Sequence, residues 1–126
     1  MGPSDTGTIG KRAEQTAFRF LLSKGLQPVT RNFRSRGGEI DLIMLHGNCL
    51  AFVEVRFRRS ARFWSAAATV DQRKQQKIVR TAAQYLATER HYARHSTRFD
   101  VVSITGSDGA NIEWIQDAFR PNDSTF

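Results

Sequence analysis

Apolar residues recur along the chain in two rhythms. Ile9, Ala13, Ala17, Phe20 and Leu21 return at helical spacing, which predicts a helix from about Ile9 to Ser23 with Gly25 as its stop. Ile78, Ala82, Tyr85 and Leu86 form the stripe of a second helix; it is expected to begin near Thr69, where Thr69 and Gln72 have capping-box spacing, and to fade near Glu89. Between and after them lie extended segments. Gln27–Phe33 is a short one, Glu39–Leu45 and Leu50–Arg56 are rich in Ile, Leu, Val and Phe, and Arg98–Thr105 and Ile112–Gln116 complete the set. Arg34-Ser-Arg-Gly-Gly38 and Ser107-Asp-Gly109 read as turns, and residues 57–68 as a basic, aromatic connection. The order is α-β-β-β-α-β-β, an α/β (α+β) pattern with a mixed sheet flanked by helices. One domain is expected over residues 9–119, with flexible tails at 1–8 and 120–126.

The turn at His46-Gly47-Asn48-Cys49 sets the register of the central hairpin. Gly-Asn is a favoured two-residue loop because both positions accept positive φ. Leu45 then faces Leu50, Ile43 faces Phe52, Asp41 faces Glu54 and Glu39 faces Arg56, all on one side of the strand pair. Ile40, Leu42, Met44, Ala51, Val53 and Val55 make the other side, which is wholly apolar and must pack on a core. Like charges directly opposed, with Cβ atoms roughly 4.5–5.5 Å apart, are destabilising. Asp41 opposite Glu54 therefore calls for a cause. One is a hard divalent cation, Mg²⁺ or Mn²⁺, held by carboxylates and completed by water and phosphate. The other is a surface charge cluster neutralised by Arg56 and nearby bases.

Composition narrows the partner. The chain of 126 residues is an ordinary globular length, with 40% hydrophobic and 25% charged residues and a net charge of +7. A single cysteine, Cys49, excludes an internal disulfide framework and a cysteine-rich zinc site. No apolar run approaches the roughly 18 residues of a membrane span, and the polar start lacks a signal-peptide pattern, so a cytoplasmic protein is expected. The bases are uneven. Arg56, Arg58, Arg59, Arg62, Arg73, Lys74, Lys77, Arg80, Arg90, Arg94 and Arg98 fall in one stretch against Glu54, Asp71 and Glu89, whereas Arg120 stands alone among the acids after residue 98. Such a belt suits a polyanion, nucleic acid above all.

The string Gly38-Glu-Ile-Asp41, followed thirteen residues later by Glu54-Val-Arg56, resembles the PD-(D/E)xK nuclease signature, and the element order resembles its restriction-endonuclease-like core. Gly10-Lys-Arg-Ala-Glu14, Arg31-Asn-Phe33, Gly38-Glu-Ile-Asp-Leu-Ile43, Phe52-Val-Glu-Val-Arg-Phe-Arg58, Arg98-Phe-Asp-Val-Val102 and Ala118-Phe119 together resemble the YraN-like family, small bacterial proteins related to Holliday-junction resolvases. The resemblance spans about residues 9–119. It implies metal binding by Asp41 and Glu54, completed by Glu14, and a recurring basic position at Lys74. It also implies a nucleic-acid partner, DNA before RNA and without a membrane, and hydrolysis of phosphodiesters, with branched DNA as a candidate substrate. A homodimer is compatible with resolvase-like relatives. Arg56 stands where the signature has Lys. Arg stays protonated and cannot act as a general base, but it can hold a phosphate and neutralise developing charge.

Asp41, Glu54 and Arg56 are thus the candidate catalytic residues, and Asp41, Glu54 and Glu14 the candidate metal ligands. Arg58, Arg59, Arg73, Lys74, Lys77 and Arg80 are the candidate nucleic-acid contacts. The alternative is a non-catalytic nucleic-acid-binding module on the same fold, which the replacement at Arg56 favours. A protein–protein adaptor would rest on Phe57, Phe63 and Trp64 alone. Glu39 is expected to pair with Arg56 across the strands. His91 and His95, four apart among Arg90, Arg94 and Arg98, read as a basic surface turn, and Cys49 as structural.

Overall fold

A computed structural model describes residues 3–59 (side chains from residue 10), 70–106 and 111–121. The elements follow the expected order: α1 (Pro3–Ser23), β1 (Gln27–Ser35), β2 (Gly38–His46), β3 (Cys49–Arg58), α2 (Gln72–Thr88), β4 (Ser96–Thr105) and β5 (Asn111–Phe119). A single 3-10 turn, Arg90–Tyr92, follows α2. The first helix starts earlier than Ile9, with Pro3 in the first position, where a missing N–H costs nothing. The second starts later than Thr69. Its cap is Asp71, whose carboxylate accepts the Lys74 amide at 2.9 Å. Thr69, Arg62, Phe63, Trp64, the turn at Ser107–Gly109 and residues 122–126 lie outside the described residues.

The five strands form one mixed sheet in the order β1-β2-β3-β4-β5. Only β3 and β4 run parallel; the other neighbours are antiparallel. A parallel pair needs a long crossover, and α2 lies within it. Both faces of the sheet are covered. On one side α1 buries Ala13, Ala17 and Leu21 against Leu42, Met44, Ala51, Val53, Val102 and Ile104. On the other, Ile78, Val79, Ala82 and Tyr85 of α2 pack on Ile40, Ile43, Leu50, Phe52, Phe99 and Val101. Fully burying a side chain such as Phe52 or Leu42 contributes roughly 1.5–3 kcal/mol. Gly38 permits the close approach of α2. Its φ is +151°, and a Cβ there would stand 3.2 Å from Thr81 Oγ1.

The hairpin register is as the Gly47-Asn48 turn predicts, from His46 opposite Cys49 to Leu42 opposite Val53. There the pairing stops, one residue short of Asp41 and Glu54. The face assignment changes at the same place. Ile40 does not join Leu42 and Met44 on the α1 side but belongs to the α2-side core.

Candidate active site

Asp41 lies at this break. Its Oδ2 accepts the backbone amide of Val55 at 2.8 Å. Along β3, Val53 pairs with β2 and Val55 presents its amide to the same side, so in a continued ladder that N–H would meet the Ile40 carbonyl. The Asp41 carboxylate takes the carbonyl's place. The two strands part, and the side chain occupies the gap. Its second oxygen remains for other partners.

Glu54 is one of them. It projects to the α2 side, is only 5% exposed, and lies close enough to Asp41 for each carboxyl to act on the other. Burial, then the Asp41 charge, raises the Glu54 pKa to about 7 against the pull of Lys74 and Arg56. Burial likewise raises Asp41, opposed by the Val55 amide. Two cations face the pair: Arg56 Nη1 lies 3.4 Å and Lys74 Nζ 3.7 Å from Glu54 Oε2. Lys74 comes from the first turn of α2, so a helix delivers the lysine while the strand position carries arginine.

Glu14 approaches from the opposite face, on α1. Burial raises its pKa, and the charges of Asp41 and then Glu39 add to the effect. The Arg31 charge and then the Asn32 side chain pull the other way. Asp41 thus stands between an acid on the α1 side and an acid on the α2 side. Among the described residues no three His, Cys, Asp or Glu side chains form a ready metal cage. The donor set still suits a hard cation, because Mg²⁺ is commonly held by one or two carboxylates with water and phosphate completing the octahedron.

Several expectations are corrected. Asp41 and Glu54 meet through a parted ladder and not as a directly opposed pair. Glu39 does not pair with Arg56. It pairs with Arg34 of β1, whereas Arg56 turns to Glu54. Arg58 is only 10% exposed and is held by Ser103 Oγ at 3.0 Å and Glu113 at 3.8 Å, tying β3 to the sheet's far side. Phe57 packs with the α1-side core. Arg98 leaves the basic belt, because its guanidinium grips Asp100 in bidentate fashion at 2.8 and 2.9 Å. Arg73, Lys77 and Arg80 do line the exposed side of α2, with no ion pair among the described residues. Arg59 is exposed at the end of β3.

Sequence reasoning missed two groups. One is Asp100, fully buried, which accepts from Arg98, from Trp114 Nε1 at 3.0 Å and from the Asp117 amide at 3.0 Å. Arg98 reaches on to His46 Nδ1 at 3.0 Å. This network pins β4 to β5 where Asp117 bulges with φ 54°. A lone Asp inside an apolar strand was the available signal, since a buried charge demands partners. The other is Asn32, a poor strand former in the middle of β1.

The model of the family described as "Uncharacterised protein family UPF0102" matches residues 13–104. A UPF0102 protein of Saccharophagus degradans is 50% identical over 120 residues, covering 95% of this chain and 97% of its own. One from Pseudomonas putida is 43% identical over 122 residues, covering 95% and 99%. The UPF0102 protein YraN of Escherichia coli O139:H28 is 49% identical over 118 residues, covering 91% and 86%. With the family model and near full-length relatives in agreement, the chain belongs to the UPF0102, or YraN-like, family.

Proposed function

We propose that this protein binds nucleic acid and hydrolyses phosphodiesters at the Asp41–Glu54 pair, as a metal-dependent endonuclease of the PD-(D/E)xK kind on a restriction-endonuclease-like core. The observation that carries the proposal is the buried Asp41–Glu54 contact at a parted ladder, faced by Lys74 and Arg56. Two carboxyls crowded together out of water, both with pKa values raised by burial, are a poor structural arrangement. They are a good seat for a divalent cation, whose charge offsets theirs.

Mg²⁺ or Mn²⁺ would activate a water and offset charge on the phosphate. The chain's own groups do the rest. Asp41, with one oxygen fixed on Val55, offers the other in a set direction. Glu54 supplies the second carboxylate. Arg56 holds a non-bridging phosphate oxygen and remains charged throughout. Lys74, unlike Arg56, can release a proton, so it can orient or deprotonate the attacking water. Arg73, Lys77 and Arg80 grip the backbone along α2, with Arg59 at the end of β3.

We place this activity in the cytoplasm, with DNA, branched forms included, as the first substrate to test, and with the chain acting alone or as a homodimer. No helix among the described residues is long and apolar enough to cross a membrane. The test is incubation with branched, flapped and single-stranded DNA and RNA in Mg²⁺ or Mn²⁺. Cleavage that disappears in Asp41→Asn and Glu54→Gln is expected. Absence of any cleavage that depends on both metal and Asp41 overturns the enzymatic reading.

The second reading, a binding module without turnover, is favoured by one observation: Arg56 occupies the strand position of the signature lysine and pairs with Glu54. It requires binding with a steep salt dependence that Asp41→Asn leaves unchanged or tightens.

A further inference from the structure

We propose that Asn32 is the positioning residue of this site: its left-handed backbone turns Asp41 out of the β-ladder into the gap between β2 and β3. The proposal rests on the functional reading above for its metal arm and on the geometry alone for its backbone arm.

Asn32 has φ 55°, a conformation that Asn tolerates and β-branched residues avoid. It sits inside β1 with no pairing partner, while its neighbours Arg31 and Phe33 pair with Leu42 and Ile40. The residue that falls opposite it, in step with those two pairs, is Asp41. Residues two apart in a regular strand share a face. Here they do not. Arg31 lies over the Phe18 ring of α1 at 4.3 Å, whereas Phe33 packs edge-on against Tyr85 of α2 at 5.0 Å. On β2 the same inversion separates Leu42, on the α1 side, from Ile40, on the α2 side. Both strands therefore rotate at one point, Asn32 opposite Asp41. A residue at the centre of such a rotation projects toward neither face. Asp41 points into the sheet, where it meets Val55 and lies between Glu14 and Glu54.

Beside Asn32, Arg31 reaches Gln15 Oε1 at 3.0 Å and so docks the adjoining turn of α1 onto the break in the sheet.

Two variants separate the backbone of Asn32 from its side chain. Asn32→Gly keeps the left-handed backbone and loses the amide; Asn32→Val disfavours the backbone as well. The Val55 backbone amide, followed by NMR, reports Asp41. It should hold its position in Asn32→Gly and move, with faster hydrogen exchange, in Asn32→Val. Leu21→Ala, a core truncation on α1, serves as a destabilised control and should leave Val55 in place. Mn²⁺ affinity, read by water-proton relaxation, should hold in Asn32→Gly and fall about tenfold in Asn32→Val, as when a partner that orients a metal ligand is removed. An unmoved Val55 amide in a folded Asn32→Val, or one that moves as far in Asn32→Gly, overturns the proposal. If the wild-type protein itself holds no Mn²⁺, the functional reading fails, and the Val55 signal still decides whether Asn32 places Asp41.

Discussion

Asp41 hydrogen-bonds the backbone amide of Val55 at 2.8 Å, in the position that a β2 carbonyl would fill in an unbroken ladder. A side chain acting as a piece of backbone has a distinct mutational signature. Asp41→Asn keeps an acceptor for Val55 and removes the repulsion with Glu54, so its folding stability should equal or exceed that of the wild type. Asp41→Ala leaves a partly buried amide unsatisfied and should cost about 1–3 kcal/mol. Urea denaturation of the two variants checks this, and equal loss in both would refute it.

The raised pKa values of the two carboxyls make stability depend on pH. The Glu54 pKa rises from an ordinary 4.5 to about 7 on folding, first because of burial and then because of Asp41. Over that window the folded chain binds more protons than the unfolded one, so the Glu54 contribution is complete below pH 4.5 and is lost as pH rises through about 7. Asp41, also raised, acts in the same direction from 3.8 upward. The difference in stability between wild type and Glu54→Gln should therefore fall from pH 4.5 to 8. Saturating Mg²⁺ should reduce that fall, because a cation replaces the proton.

Lys74 and Arg56 both pull the Glu54 pKa down. Lys74→Gln and Arg56→Gln should each move its titration upward, visible in the ¹³C carboxyl shift. If cleavage is found, Lys74→Gln should slow it, since a lysine, unlike an arginine, can serve as a general base.

The exposed bases on α2 and the buried Arg58 should behave differently. Replacing Arg73, Lys77 and Arg80 together by Gln should leave stability within about 0.5 kcal/mol of wild type. It should make the log–log salt dependence of duplex DNA binding shallower by about 2–3. Arg58→Gln should do the reverse, lowering stability through its lost bonds to Ser103 and Glu113 while changing the salt slope little.

Asp100 carries no proposed chemistry, yet its loss should be the most costly of these changes. Asp100→Ala strands the Arg98 guanidinium, the Trp114 indole and the Asp117 amide at once. Removing one partner of a buried ion pair costs about 3–5 kcal/mol. Chemical denaturation followed by tryptophan fluorescence measures it, and a loss under 1 kcal/mol would show that water replaces the carboxylate.

Local pattern alone carried the element order, the hairpin register and the identity of the acidic pair. The reason is physical: turn chemistry at Gly47-Asn48 and side-chain alternation act over a few residues and leave direct marks in the chain. Asp41 and Glu54 stood out because two acids in apolar strands conflict with those local rules. What tertiary structure decided is how the conflict is settled. The rotation at Asn32 moves Ile40 to the other face and frees Asp41 to bond Val55. The crossover through α2 brings Lys74 to Glu54, and packing across β4 and β5 removes Arg58 and Arg98 from the basic surface. Each of these depends on residues far apart in sequence meeting at one point. Their spacing along the chain holds no trace of that meeting, so the charge total of +7 overstated the free basic surface, and only the folded sheet shows which charges face solvent and which face each other.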